Sequence, residues 1–166
     1  MTRYHLKRQD REFTDSSEII GVIKRCRFAT IAFCRDDEPY LVTMNHGCDE
    51  TTNALYFHCA LEGQKLDFIE ANPNVCATII EDLGYGYGDC THYYRSLIIR
   101  GKIHLVENLD EKKHALKVLI DHHEENPDDA RARFLKDDKT YAKCHILRLD
   151  IEKIAAKQNL PKMQMS

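Results

Sequence analysis

Residues 54–71 read ALYFHCALEGQKLDFIEA, and the change of pattern inside this stretch decides the fold class. The first part, Ala54 to Cys59, is a short apolar and aromatic run of the strand type. The second part, Glu62 to Ala71, carries helix-forming residues and is stopped by Asn72-Pro73. A strand therefore hands over to a helix that has Gly63 and Lys65 in its first turn. Backbone N–H groups at a helix start attract anions, Gly63 permits close approach, and Lys65 adds a positive charge. On spacing alone this is either a phosphate cradle or an ordinary strand-to-helix connection.

Upstream, FATIAFC (28–34) and PYLVTMNHG (39–47) flank the turn residues RDDEP (35–39) and predict a hairpin. The second of these strands places Tyr40, Val42, Met44 and His46 on one face and Leu41, Thr43 and Asn45 on the other. Asp15 with Glu18 three residues later is a capping-box pattern, and Ile19, Ile23 and Cys26 predict a short amphipathic helix over 16–26. Downstream, NVCATIIED (74–82) predicts a fourth strand and GYGYGDCTH (84–92) a flexible loop. YYRSLIIRGKIHLVE (93–107) then predicts a long strand with Gly101 as a bulge or barrel bend. Asp110 can cap a helix reaching about Glu124, buried through Ala115, Leu116, Leu119 and Ile120. DDARARFL adds another turn or two, and KCHILRLDIEKI (143–154) is the last strand. Hairpins dominate and the helices are too few for alternating βαβ units, so the pattern predicts a mainly β (α+β) barrel with peripheral helices.

The remaining features narrow the function classes. A chain of 166 residues with 43% hydrophobic and 31% charged residues predicts one globular domain and excludes disorder. No apolar run approaches membrane-helix length, and MTRYHLKRQDREF lacks a signal-peptide apolar region, so a cytoplasmic chain with no membrane contact is expected. Net charge is -3, and the basic arm (Arg3, Lys7, Arg8, Arg11) is diluted by Asp10 and Glu12, which argues against nucleic acid. The seven cysteines are odd in number and lack any C-x-x-C, so they read as core thiols in a reducing compartment rather than disulfides or metal ligands. No catalytic triad can be assembled: Ser16 and Ser17 sit in a capping position, and Ser96 lies in a strand without a G-x-S-x-G context. Arg95 shares a strand face with Leu97, Ile99 and Ile103, so it must be ion-paired or face a ligand or interface.

The blocks EPYLVTMNHG, ALYFHCALEGQKLDFIEANPNVCATI and YYRSLIIRGKIHLVE resemble, in order and separation, the split-barrel flavin-nucleotide-binding proteins related to pyridoxamine 5'-phosphate oxidase. Within that family the resemblance is to the subgroup named for nitroimidazole resistance, and it runs from about Arg11 to about Lys157. It implies a six-stranded antiparallel split β-barrel over residues 14–157, with an arm (1–13) and a tail (158–166). It also implies a homodimer holding FMN in clefts between the subunits. By resemblance, Val42, Thr43, Met44 and Asn45 run beside the flavin ring, and His58, Cys59, Ala60, Gly63 and Lys65 surround the ribityl phosphate. Tyr94, Arg95 and Ser96 belong to the same cleft, and His58 is the candidate catalytic residue. Relatives often carry serine where Cys59 stands, and an apolar or aromatic residue where Arg100 stands. The tail has no arginine or tryptophan, which argues against true pyridoxamine 5'-phosphate oxidase activity. The activity implied is transfer of electrons from transiently bound NAD(P)H through FMN to a small acceptor such as a nitroaromatic, without a metal. The alternative is a non-catalytic flavin or haem store or sensor, with His58 or His46 as a haem ligand.

Overall fold

Strand β1 (Phe28–Arg35) alternates strictly: Ala29, Ile31 and Phe33 are buried, while Phe28 and Cys34 are exposed. It turns into β2 (Glu38–Asn45) through Asp36-Asp37, both at positive φ (46° and 66°), the two-residue hairpin turn whose twist matches the strands. The computed structural model describes residues 8–136 and 141–161. Before β1, helix α1 (Ser16–Arg25) is capped as its sequence predicts, Asp15 accepting from the Glu18 amide at 2.9 Å.

The decisive event follows β2. The chain continues through His46 into a short strand β3 (Gly47–Asp49), which pairs with β4 (Ala54–Cys59). The strand order is β2-β1-β5-β6-β7-β4-β3, so one continuous segment supplies both ends of the sheet and closes it into a split barrel. Seven strands result instead of the six expected, because the segment read as a single strand over 39–47 breaks at His46.

Helix α2 (Gln64–Ala71) returns the chain to β5 (Asn74–Gly86), and β6 (Thr91–Leu105) pairs with β5 and with β7 (His145–Asn159). The Gly/Tyr segment expected to be a loop is largely strand, since β5 runs to Gly86 and β6 starts at Thr91. Gly101 marks the bulge the sequence suggests: the register shifts between Arg100 and Gly101, the extra residue being Glu152 on β7, and a Cβ at 101 would lie 1.9 Å from the Asp150 carbonyl oxygen. Helix α3 (Leu109–His123) is capped by Asn108, which accepts from the Glu111 amide at 3.0 Å, and not by Asp110. Asp110 falls two residues later, inside the first turn of the helix. Helix α4 (Pro127–Phe134) follows.

Side chains fill the barrel: Ile31, Phe33, Leu55, Phe57, Ile79, Leu97, Ile99 and Leu149 form the core, with Val22, Ile23 and Phe68 closing it from the helices. A second cluster lies outside the barrel wall, where Tyr56, Val106 and Ile146 meet Ala115 and Leu119 of α3. Phe13, within the N-terminal segment, is buried against the core, and Glu12 bridges to Lys157 on β7. Among the described residues no helix is long and apolar enough to cross a membrane.

Candidate functional site

Strand alternation sorts the residues singled out above. On β2, Thr43 and Asn45 face outward, whereas Met44 is buried in the core and Val42 packs against it. On β4, His58 is exposed on the outer face, while Cys59 points into the barrel. The side chains of Val42, Met44 and Cys59 are therefore core residues, and only their backbone can line an outer cleft. Burial pushes the Cys59 thiol pKa up, with nearby Lys65 opposing it.

At the start of α2, Gly63 adopts φ 143°, a conformation that side chains disfavour, and no side chain caps the helix. The Leu66 amide donates to the Gly63 carbonyl at 2.9 Å. Lys65 folds its ammonium back to 3.9 Å from where a Gly63 Cβ would be. An uncapped helix start, a glycine and a cation thus converge on one exposed spot beside Ala60. Open helix-start amides beside a cation can receive an oxyanion, and glycine is favoured at 63 by its positive φ, since a Cβ there would make only ordinary contact with Lys65.

Asn45 and His58 line a cavity of about 520 Å³. Its other walls are Leu116, Leu119, Ile120, His123 and Glu124 near α3 and Phe134 and Leu135 near α4. It is mostly apolar, with a few polar groups converging, the usual make-up of a small-molecule site. The helix residues escaped sequence reading because their apolar stripe reads as packing against the barrel, and part of it does pack there.

Tyr94 and Ser96 lie elsewhere. Both face outward on β6 and line a separate cavity of about 330 Å³ with Ile80, Asp82 and His92. Continuing the strand registers, Ser96 stands in one row with Ile80, Phe28 and Asn45, three strand spacings from Asn45, or roughly 14 Å. Arg95 points the other way. Its guanidinium donates to Glu81 and Gln158, both at 3.2 Å, and Glu81 also receives Arg25. Within the chain, the partner that Arg95 requires is thus an ion pair with Glu81 at the barrel end. These two arginines hold the Glu81 carboxyl below its usual pKa, Arg25 most strongly.

His46 is fully buried at the β2–β3 joint. Its Nε2 meets the Ile23 carbonyl oxygen at 3.1 Å, and its Nδ1 has no partner among the described residues. Burial, and then the neighbouring His122, lower its pKa to about 4. With its Nε2 engaged beneath α1 and α3, His46 is no haem ligand; of the two histidines considered, only His58 is accessible.

A family model described as pyridoxamine 5'-phosphate oxidase matches residues 15–158. The chain belongs to that family. Among solved structures, a candidate 5-nitroimidazole antibiotic resistance protein of Bacteroides thetaiotaomicron is 25% identical with a TM-score of 0.75, covering 89% of this chain and 86% of that one. A protein of Mycobacterium smegmatis described as binding FAD and haem is 18% identical with a TM-score of 0.75, covering 92% and 76%. A flavocytochrome of Azotobacter vinelandii is 15% identical with a TM-score of 0.79, covering 97% and 75%. At those identities the last two show the shared split-barrel fold. An uncharacterised Rhizobium meliloti protein is 38% identical over 64 residues, 39% of this chain, and the match spans about two fifths (40%) of that relative's length. The family assignment covers all the residues sorted above and accords with the nitroimidazole-resistance subgroup.

Proposed function

We propose that the protein binds FMN in clefts between two copies of itself. As an oxidoreductase it carries electrons from NAD(P)H to a small oxidised acceptor such as a nitroaromatic. The observation that carries this reading is the cradle at the start of α2, where Gly63 and Lys65 meet an uncapped helix end on the strand that bears His58. A phosphate monoester suits it in charge. Family membership supports a flavin, as do fold relatives described as a FAD- and haem-binding protein and a flavocytochrome.

When bound, the flavin supplies the two-electron chemistry. In this reading Lys65 and the first-turn amides of α2 hold the phosphate, and Thr43 and Asn45 offer polar groups to the ring edge. Leu116, Ile120 and Phe134 keep water from one side, and His58 holds or releases a proton at the open side. One chain does not surround such a ligand, because Tyr94 and Ser96 lie too far from Asn45 to share its cavity. A second copy supplies them. Phe28, Leu41, Ile80 and Ile98, exposed on the same outer face, form the apolar surface that such a copy covers.

The test is a visible spectrum of the purified protein, repeated after adding FMN and removing the excess by gel filtration. Retained flavin bands, with affinity lowered tenfold or more in Lys65→Ala, are the expected result. A protein that stays colourless and retains no FMN overturns the reading. Bound flavin reduced by NADH or NADPH no faster than free FMN would make the protein a store or sensor instead.

A further inference from the structure

His123, the last residue of α3, lines the cavity of about 520 Å³ that it shares with Asn45 and His58 of the barrel wall. Its Nε2 lies 2.9 Å from the His46 carbonyl oxygen. A carbonyl only accepts, so Nε2 carries the proton. Burial, and then the neighbouring His122, lower the His123 pKa, which keeps the ring uncharged at and above neutral pH. An uncharged imidazole protonated on Nε2 presents Nδ1 as a bare lone pair, able to accept and unable to donate. Among the described residues no donor meets this Nδ1, and unlike the Nδ1 of His46 it is not sealed from access. His122 lies against the ring, centroids 4.7 Å apart, and is itself fixed by donating from Nε2 to the Cys26 carbonyl at 2.9 Å.

The rest of the cavity decides what can meet that nitrogen. Leu116, Ile120, Phe134 and Leu135 make it apolar, and among the described residues lining it there is no lysine or arginine and one carboxylate, Glu124. An anion would face Glu124 without a fixed cation, so an uncharged ligand is favoured. Against an apolar wall, a ligand that fails to donate forfeits a hydrogen bond that water replaces poorly. On its other side His123 borders a cavity of about 490 Å³ among exposed charged residues, Arg27 and Arg133 included, where water can serve the same nitrogen. We infer that His123 is a specificity-determining residue of the Asn45–His58 cavity, its Nδ1 accepting a hydrogen bond from a small uncharged aromatic ligand that carries a ring N–H or an O–H group. The body of that ligand lies on Leu116, Ile120 and Phe134. Where a flavin ring lies along Thr43 and Asn45, this ligand is the electron acceptor against the helix wall, and to that extent the inference rests on the proposed function.

The experiment is equilibrium dialysis of the protein as purified against indole, benzofuran and indole-3-carboxylate, at about pH 8, above the usual histidine range. Benzofuran has the shape of indole with an ether oxygen in place of the N–H. Wild type, His123→Gln and His58→Gln are compared, with melting temperature and FMN retention measured on each. In His123→Gln the side-chain amide keeps a donor for the His46 carbonyl and loses the Nδ1 acceptor. The expected result is indole bound roughly tenfold or more tighter than benzofuran or indole-3-carboxylate by wild type. His123→Gln brings indole down to the benzofuran level and leaves benzofuran unchanged, whereas His58→Gln preserves the preference. Equal binding of indole and benzofuran by wild type, or no binding of either, overturns the inference without recourse to a variant. So does a preference that survives His123→Gln or disappears in His58→Gln. FMN affinity falling tenfold in His123→Gln also overturns it, since the nitrogen would then serve the flavin ring. A protein that retains no FMN but prefers indole through His123 overturns the flavin reading and leaves this one standing; retained FMN without the preference does the reverse.

Discussion

The two halves of the sheet's outer face are made of similar strands and end in different surroundings. On β4 and β7, the outward Tyr56 and Ile146 are 1% and 0% exposed because α3 lies across them. On β1, β2, β5 and β6, the outward Phe28, Leu41, Ile80 and Ile98 are 41–65% exposed, with no helix over them. One apolar surface is completed by its own chain; the other is left open. The contrast teaches that strand alternation marks which side chains point outward but not what covers them.

The seam between the halves is the β6–β7 ladder, bent at Gly101, and breaking it has the largest expected effect. A Cβ at position 101 would lie 1.9 Å from the Asp150 carbonyl oxygen, and backbone cannot yield as a side chain does. Gly101→Ala should cost about 3 kcal/mol or more, or prevent folding, as read by thermal melting and soluble yield. The comparison itself is sharpened by matched truncations. Leu119→Ala, under the covered half, should cost about 3 kcal/mol in urea unfolding at any protein concentration. Ile98→Ala, on the open half, should cost less than about 0.5 kcal/mol in dilute protein. If a second copy covers that face, its effect grows with protein concentration. Equal costs at both sites would remove the distinction between the halves.

Acid should loosen the covered half first. His46, under α1 and α3, has its pKa lowered to about 4 by burial and by His122, against an ordinary value near ~6.5. A histidine with a depressed folded pKa contributes stability that is whole above about pH 6.5 and is lost as pH falls to about 4. The loss amounts to about 3 kcal/mol over that window, measured as a falling urea midpoint. His46→Gln should flatten this slope whatever its effect at neutral pH. Glu111, held below its usual pKa chiefly by Arg148, adds a further loss only at lower pH. The smallest effect concerns the anchoring of α3. Asn108→Ala removes the cap and should cost about 1 kcal/mol, while Asp110→Ala should cost less than half of that, in the same unfolding assay.

Much of the site was legible because its signals are local. The strand-to-helix change at Cys59–Gln64, the αL-type turn residues Asp36-Asp37 and the bulge at Gly101 each depend on a few neighbouring residues and the conformations open to them. The pairing of Arg95 was legible only as a demand for some partner. Glu81 and Gln158 answer it from two other strands, at separations in sequence that no spacing rule reaches.

By itself, then, the chain's order of residues determined which segments form strands and which form helices, which side chains share a face, and where an anion can meet an open helix end. These follow from steric limits on the backbone and from periodicity over a few residues. Only the tertiary structure decided that one strand breaks at His46 to close the barrel, that Val42, Met44 and Cys59 turn inward, and that α3 covers one half of the outer face. Those outcomes depend on contacts between distant segments, where both faces of a strand are apolar enough to be buried and the closing of the sheet selects the inner one.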